Sequence, residues 1–129
     1  MTARTYGALF EGALQSVGLR HGAILDATFS KRGQRDALGE LARKNGFRLV
    51  WIEAVVSDVV ARQRLRERES ARVVVSDASL ENFEALGSAY EPPVEISGRF
   101  TIVNEDQVSV VLRTLLLELA RFRAASPAG

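Results

Sequence analysis

Asp26 and Thr28 stand at the end of a short apolar run, Ala23-Ile24-Leu25-Asp26-Ala27-Thr28-Phe29, and the cationic turn Ser30-Lys31-Arg32-Gly33-Gln34-Arg35-Asp36 follows at once. An acid at the carboxyl end of a buried strand lies where open α/β sheets bind their ligands. A carboxylate there can hold a magnesium ion or orient a substrate hydroxyl, and a neighbouring threonine can assist. The same two residues could also simply cap the turn into a helix. An acid inside an apolar run is costly without a partner, which favours the functional reading. Lys31, Arg32 and Arg35 add donors that could meet a phosphate, although the helix dipole disfavours cations at a helix start. The pattern suits the second half of a phosphate-handling site. Its first half, a glycine-rich phosphate loop, is not found in the 129 residues.

A second constellation comprises Arg62, Arg64, Arg66, Arg68 and Arg72 ahead of Ser76-Asp77. Arg62 and Arg66 share a helix face, as do Arg64 and Arg68. Glu67 and Glu69 allow these arginines to be a salt-bridged surface helix. Massed at a helix end that opens into a loop, they also suit a flap that closes on phosphates. Of the 17 cationic residues only Lys31 and Lys44 are lysines. Arginine suits bidentate phosphate recognition, and a codon bias explains the same preference. His21, the only histidine, has no partner cluster and reads as a surface residue. Trp51 lies mid-strand and reads as core. Asp26-Ala27-Thr28 is not the paired-aspartate motif of phosphoaspartate hydrolases, because position 28 is not acidic.

These side chains need a scaffold, and the composition supports one folded domain spanning residues 1–129, with a frayed tail over 124–129. Apolar residues make up 47% and charged residues 26% of the chain, as in ordinary globular proteins. A net charge of +1 argues against nucleic-acid binding driven by bulk charge. No run approaches a membrane span, and no signal-peptide pattern is visible. There is no cysteine, so disulfides and thiolate metal sites are excluded. The expectation is a cytoplasmic protein that engages neither membrane nor nucleic acid.

Apolar spacing predicts a helix over Thr5–Val17, with Tyr6, Leu9, Phe10, Ala13, Leu14 and Val17 on one face. A buried strand follows at Ala23–Ala27, then a helix from about Gln34 to Asn45 with Leu38, Leu41 and Ala42 inward and Gly46 as its stop. Phe47–Val55 reads as the next strand, and Ser57 or Asp58 caps the helix after it. Ser76-Asp77-Ala78-Ser79 opens another helix carrying Leu80, Phe83, Leu86 and Tyr90, ended by Glu91-Pro92-Pro93. Phe100–Val103 is a third strand. Asp106–Arg123 closes the domain with Val108, Val111, Leu112, Leu115, Leu119 and Phe122 inward. Alternation of this kind implies an α/β fold, a three-layer parallel sheet flanked by helices. Three parallel strands make a narrow sheet with poorly covered edges, open to self-association. The chain reads as though a segment preceded Met1.

In order and spacing, Ile24-Leu25-Asp26-Ala27-Thr28-Phe29, Arg32, Arg35-Asp36, Arg64-Leu65-Arg66-Glu67-Arg68, Ser76-Asp77-Ala78 and Tyr90-Glu91-Pro92-Pro93 resemble the P-loop kinases. The nearest group is that of gluconate kinase and zeta-toxin-type ATPases. It includes the ATP-binding half of fused aminoglycoside-phosphotransferase-like proteins. The likeness runs from about Thr5 to Phe122. It implies ATP and magnesium as cofactors, a small-molecule acceptor, and phosphoryl transfer. It makes Asp26 the strand-end acid near magnesium and Thr28 its assistant. Arg32 and Arg35 fall on the acceptor side, and Arg62, Arg64, Arg66 and Arg68 in the lid over the nucleotide. In that family a first strand, the Walker A loop and its helix precede the region resembling Thr5–Val17, and the strand lies at the centre of the sheet. Nothing in this chain matches G-x-x-x-x-G-K-[ST]. The expectation is a P-loop-kinase-like domain without its first strand and phosphate loop, inactive alone. A truncated gene product, a loop carried by a separate polypeptide, and a decayed relative all remain open. The other reading is a non-catalytic α/β interaction module that keeps only the scaffold.

Overall fold

The fold is taken from a computed structural model, which describes residues 3–20, 22–71 and 81–125. In chain order the elements are α1 (Ala3–Arg20), α2 (Arg32–Lys44), β1 (Ile52–Val55), α3 (Asp58–Ser70), α4 (Phe83–Ala89), β2 (Phe100–Val103) and α5 (Val108–Ala124). They fall into two compact units. The first joins Met1–Leu49 to Ala89–Pro93, and the second joins Val50–Ser88 to Val94–Gly129.

Burial in the first unit centres on an aromatic cluster. Tyr6 of α1 is only 4% exposed, and its ring lies 5.3 Å from that of Phe29. Phe10 stacks on Phe29 with centroids 6.5 Å apart and planes 10° off parallel. Leu38 and Ala42, four apart on α2, are buried as the periodicity predicts, and Leu41 is half-buried. Lys31 precedes the first turn of α2, where its N–H donates to Gln34 Oε1 at 3.1 Å. Gly46 ends the helix with φ +68°, a left-handed conformation that glycine adopts without a Cβ penalty.

In the second unit β1 and β2 pair in parallel, Ile52 opposite Phe100 and Val55 opposite Val103. Parallel neighbours need a long crossover, and residues 56–99 supply it. Ser57 caps α3 by accepting from Val60 N–H. The α5 helix packs on β2, with Phe122 edge-on to Phe100 at 5.7 Å.

The fold class is α/β with a parallel pair of strands, and three expectations need correction. Ala23–Ala27 is not a strand: the segment has no regular structure, bends at Ala27 and joins no ladder among the described residues. Phe47–Val55 contributes only Ile52–Val55 for the same reason. A strand is defined by a partner, so an apolar extended run without one remains irregular backbone. The sheet therefore has two strands instead of three. Val108 and Leu112 also face outward: α5 packs on β2 through its other face, where Val111, Leu115, Leu119 and Phe122 are half-buried. His21, Arg72 and the predicted helix start at Ser76–Leu80 lie outside the described residues.

Candidate active site in the Asp26–Arg35 turn

Asp26 is exposed near the end of the Ala23–Ala27 segment, and Thr28 is exposed two residues later. Phe29 then turns the chain with φ +43°, a left-handed conformation that costs a bulky side chain about 1–2 kcal/mol. Three neighbours impose it. The Phe29 N–H donates to the Tyr6 hydroxyl at 3.0 Å, and that hydroxyl also lies 3.3 Å from Thr28 Oγ1. The Phe29 carbonyl accepts from Arg35 Nη1 at 2.7 Å. From the Ala89–Pro93 segment, the Glu91 N–H donates to the Ser30 carbonyl at 2.8 Å.

Sequence reasoning placed Arg32 and Arg35 together on the acceptor side, and their surroundings differ sharply. Arg32 is exposed, its side chain 3.5 Å from Asp36 one helical turn on. Arg35 is 4% exposed, and besides Phe29 it reaches the Pro92 carbonyl through Nη2 at 3.4 Å. Its planar fork thus links the turn to the Ala89–Pro93 segment, which a lysine could not do.

The first turn of α2 contains no acidic residue, so its free N–H groups draw a carboxylate from elsewhere. Glu91 supplies it: Oε2 accepts from Arg32 N–H at 2.7 Å, and Oε1 lies 3.4 Å from Lys31 Nζ. That backbone bond, with help from Lys31 and Arg35, holds the Glu91 carboxyl below the ordinary glutamate range. In the second unit Glu105 does the same for α3 by accepting from Ser57 N–H, which with the Ser57 hydroxyl and Arg64 lowers its pKa.

A carboxyl whose pKa is lower folded than unfolded stabilises the fold above the unfolded value, and that stabilisation disappears as pH falls through the folded one. Stability is therefore expected to fall below about pH 4.5, the ordinary glutamate value. The double variant Glu91→Gln, Glu105→Gln should flatten that limb. Denaturant midpoints measured from neutral to acid pH check it, and an unchanged acid limb would count against both contacts.

The lid arginines belong to the second unit, on α3. Arg62 lies 4.5 Å over the Phe83 ring and 3.4 Å from Glu84. Arg64 donates to the Asn104 carbonyl at 2.7 Å. Arg66 and Arg68 are exposed. Asp26, Thr28, Arg32 and Arg35 are thus gathered in one turn, and the arginines of α3 form a separate group. Sequence reasoning passed over Tyr6 and Glu91. Tyr6 was counted for its ring alone, and Glu91 was seen only as a helix terminator. The available signal was a carboxylate fixed ahead of two prolines, which restrict its backbone.

Residues 1–93 match the family described as AAA domain. The chain belongs to this family, and with it to the P-loop, kinase-like nucleotide-binding domains. Neither curated proteins nor solved structures give a match. Domains of this type generally bind ATP and Mg2+. The residues present fit that pair only in part: Asp26 and Thr28 offer an exposed carboxylate and hydroxyl, but no G-x-x-x-x-G-K-[ST] cradle exists for the phosphates. Among the described residues no cluster of three or more His, Asp or Glu could hold a metal, and no helix is long and apolar enough to cross a membrane.

Proposed function

We propose that this chain is the acceptor-and-lid portion of a small-molecule phosphotransferase, of the group that includes gluconate kinase and zeta-toxin-type ATPases, acting in the cytoplasm. The observation that carries the proposal is the Asp26–Thr28 segment, exposed yet followed by a strained turn fastened by Tyr6, Arg35 and Glu91. Strain held in this way concentrates at functional sites. Asp26 then holds magnesium or orients the acceptor hydroxyl, and Thr28 assists it. Arg32 faces the acceptor, Arg35 fixes the turn, and Arg62, Arg64, Arg66 and Arg68 close over nucleotide phosphates.

On this reading the chain is inactive alone, because the backbone amides and lysine that grip the β- and γ-phosphates must come from a strand–loop–helix segment outside it. An apolar groove in the first unit supports that reading. Ala23 and Leu25 line it with Phe47 and Leu49, between Leu14 of α1 and Leu38 of α2. Ile24, 97% exposed on a segment that joins no ladder among the described residues, is an apolar edge of the sort that recruits a strand or a second copy.

Calorimetry on the chain alone is expected to give an ATP–Mg2+ dissociation constant no tighter than millimolar, about −4 kcal/mol. A micromolar value would mean that another phosphate site exists. The same sample should self-associate with rising concentration in sedimentation, and a strict monomer with a sharp melt would count against the open edge. The second reading, a non-catalytic interaction module, draws on the absent G-x-x-x-x-G-K-[ST] motif. It gains if supplying a phosphate-loop segment restores neither nucleotide binding nor turnover.

A further inference from the structure

The Tyr90–Pro93 segment has no helix or strand of its own, yet it is fastened to the Ser30–Arg35 turn in both directions. It donates Glu91 N–H to the Ser30 carbonyl and accepts Arg32 N–H on Glu91 Oε2. It also presents the Pro92 carbonyl to Arg35, whose other nitrogen holds Phe29. Pro93 is buried at its end, and α4 finishes one residue before Tyr90. These contacts surround the one described non-glycine residue with positive φ, Phe29. Left to itself, Phe29 would relax toward negative φ and turn the Asp26–Thr28 backbone with it.

We propose that Glu91 is a positioning residue: ionised, it latches the Tyr90–Pro93 strap onto the Ser30–Arg32 turn, keeps Phe29 left-handed and so aims Asp26 and Thr28, and once neutral it lets that turn relax. The proposal rests on the reading of Asp26 and Thr28 as site residues. The charged groups around the latch are Lys31 and Arg32 at the start of α2, Arg35 one turn in, and Asp36, which pairs with the Arg32 side chain. From α1 the Tyr6 hydroxyl faces Thr28 and Phe29. Every cation in this set favours the ionised carboxylate, and the nearest acid is paired with Arg32. Tyr6 and Arg35 grip the Phe29 peptide directly, whereas Glu91 acts through the strap. Of Tyr6, Arg35 and Glu91, the three that hold the turn, it is the one whose charge changes in mild acid.

The test is an amide-resonance titration of the full chain from neutral to acid pH. The Arg32 amide proton is expected to move with a single sigmoid as Glu91 protonates, and the Thr28 and Phe29 amides should follow the same midpoint. In Glu91→Gln, which keeps an oxygen acceptor but cannot ionise, the three should no longer share a midpoint, whatever smaller local changes Asp36 and Asp26 impose on their own neighbours. At neutral pH, Glu91→Ala should raise hydrogen exchange at Arg32 and Phe29 about tenfold, as loss of a charge-assisted hydrogen bond allows. Phe100 and Asn104 amides of the second unit, bonded to Trp51 and Val55 carbonyls, should not change. If Arg32 titrates while Thr28 and Phe29 do not, the latch does not position the turn and the proposal fails. It fails equally if the three amides still titrate together in Glu91→Gln. None of these readouts depends on turnover, so an inactive Asp26–Thr28 pair would overturn the functional reading and leave the latch standing.

Discussion

Replacing Arg35 by alanine is expected to destabilise the protein by about 3 kcal/mol, the largest single-residue effect in the first unit. The change deletes two hydrogen bonds from a buried charged donor to backbone carbonyls, at Phe29 and Pro92. Hydrogen bonds involving charged groups are worth about 1.5–3 kcal/mol each, and an unsatisfied buried carbonyl adds to the loss. Arg35→Lys should recover only part of it, because an ammonium on a flexible stem cannot span both acceptors. Denaturant unfolding at constant m-value measures the effect, with exposed Arg32→Ala as the comparison. If Arg35→Ala stayed within about 0.5 kcal/mol of wild type, the ordinary range for a surface substitution, the buried clamp would be wrong.

The second large effect concerns turnover. In a protein restored by fusing a phosphate-loop strand and helix ahead of α1, Asp26→Asn is expected to lower turnover about 10²-fold while leaving the fold intact, the scale typical of one preorganised electrostatic contact. Asp26 is exposed and has no ion pair or hydrogen bond among the described residues, so stability should not follow activity. At least one of Arg64→Ala, Arg66→Ala and Arg68→Ala should cost about 1.5–3 kcal/mol of transition-state stabilisation, visible in turnover as well as in nucleotide affinity. Arg121→Ala makes the control, since Arg121 sits on α5 paired with Glu118 at 3.0 Å. Should Asp26→Asn and all three α3 variants behave like Arg121→Ala, the arginines are a solvated face and the kinase reading of both groups falls.

The elements legible in the sequence were those that local chemistry decides. Phe100–Val103 is a strand to the residue, α3 begins after its Ser57 cap, and Gly46 stops α2. The Ala23–Ala27 run was legible as apolar but not as lacking a ladder among the described residues, because pairing belongs to the neighbour as much as to the strand. Arg35 shows the same limit from the other side. Helical periodicity assigns arginine to the surface or to a ligand, and only the meeting of Phe29 with Pro92 makes a buried position satisfiable. Asp26, Thr28 and Arg32 could be proposed from type and spacing. Glu91 could not, since its chief partner lies 59 residues away at Arg32 and is a backbone N–H with no signature of its own.

That long reach bears on how the chain acquires its structure as it leaves the ribosome. The first unit needs Ala89–Pro93 to complete it, and β1 must wait for Phe100 to arrive before it has a ladder. Synthesis adds roughly 5–20 residues per second. For some seconds, therefore, α1, α2 and the exposed Ile24 edge exist without strap or sheet. Neither unit is a self-contained N-terminal piece, and a nascent chain halted near residue 88 would hold its helices but neither clasp.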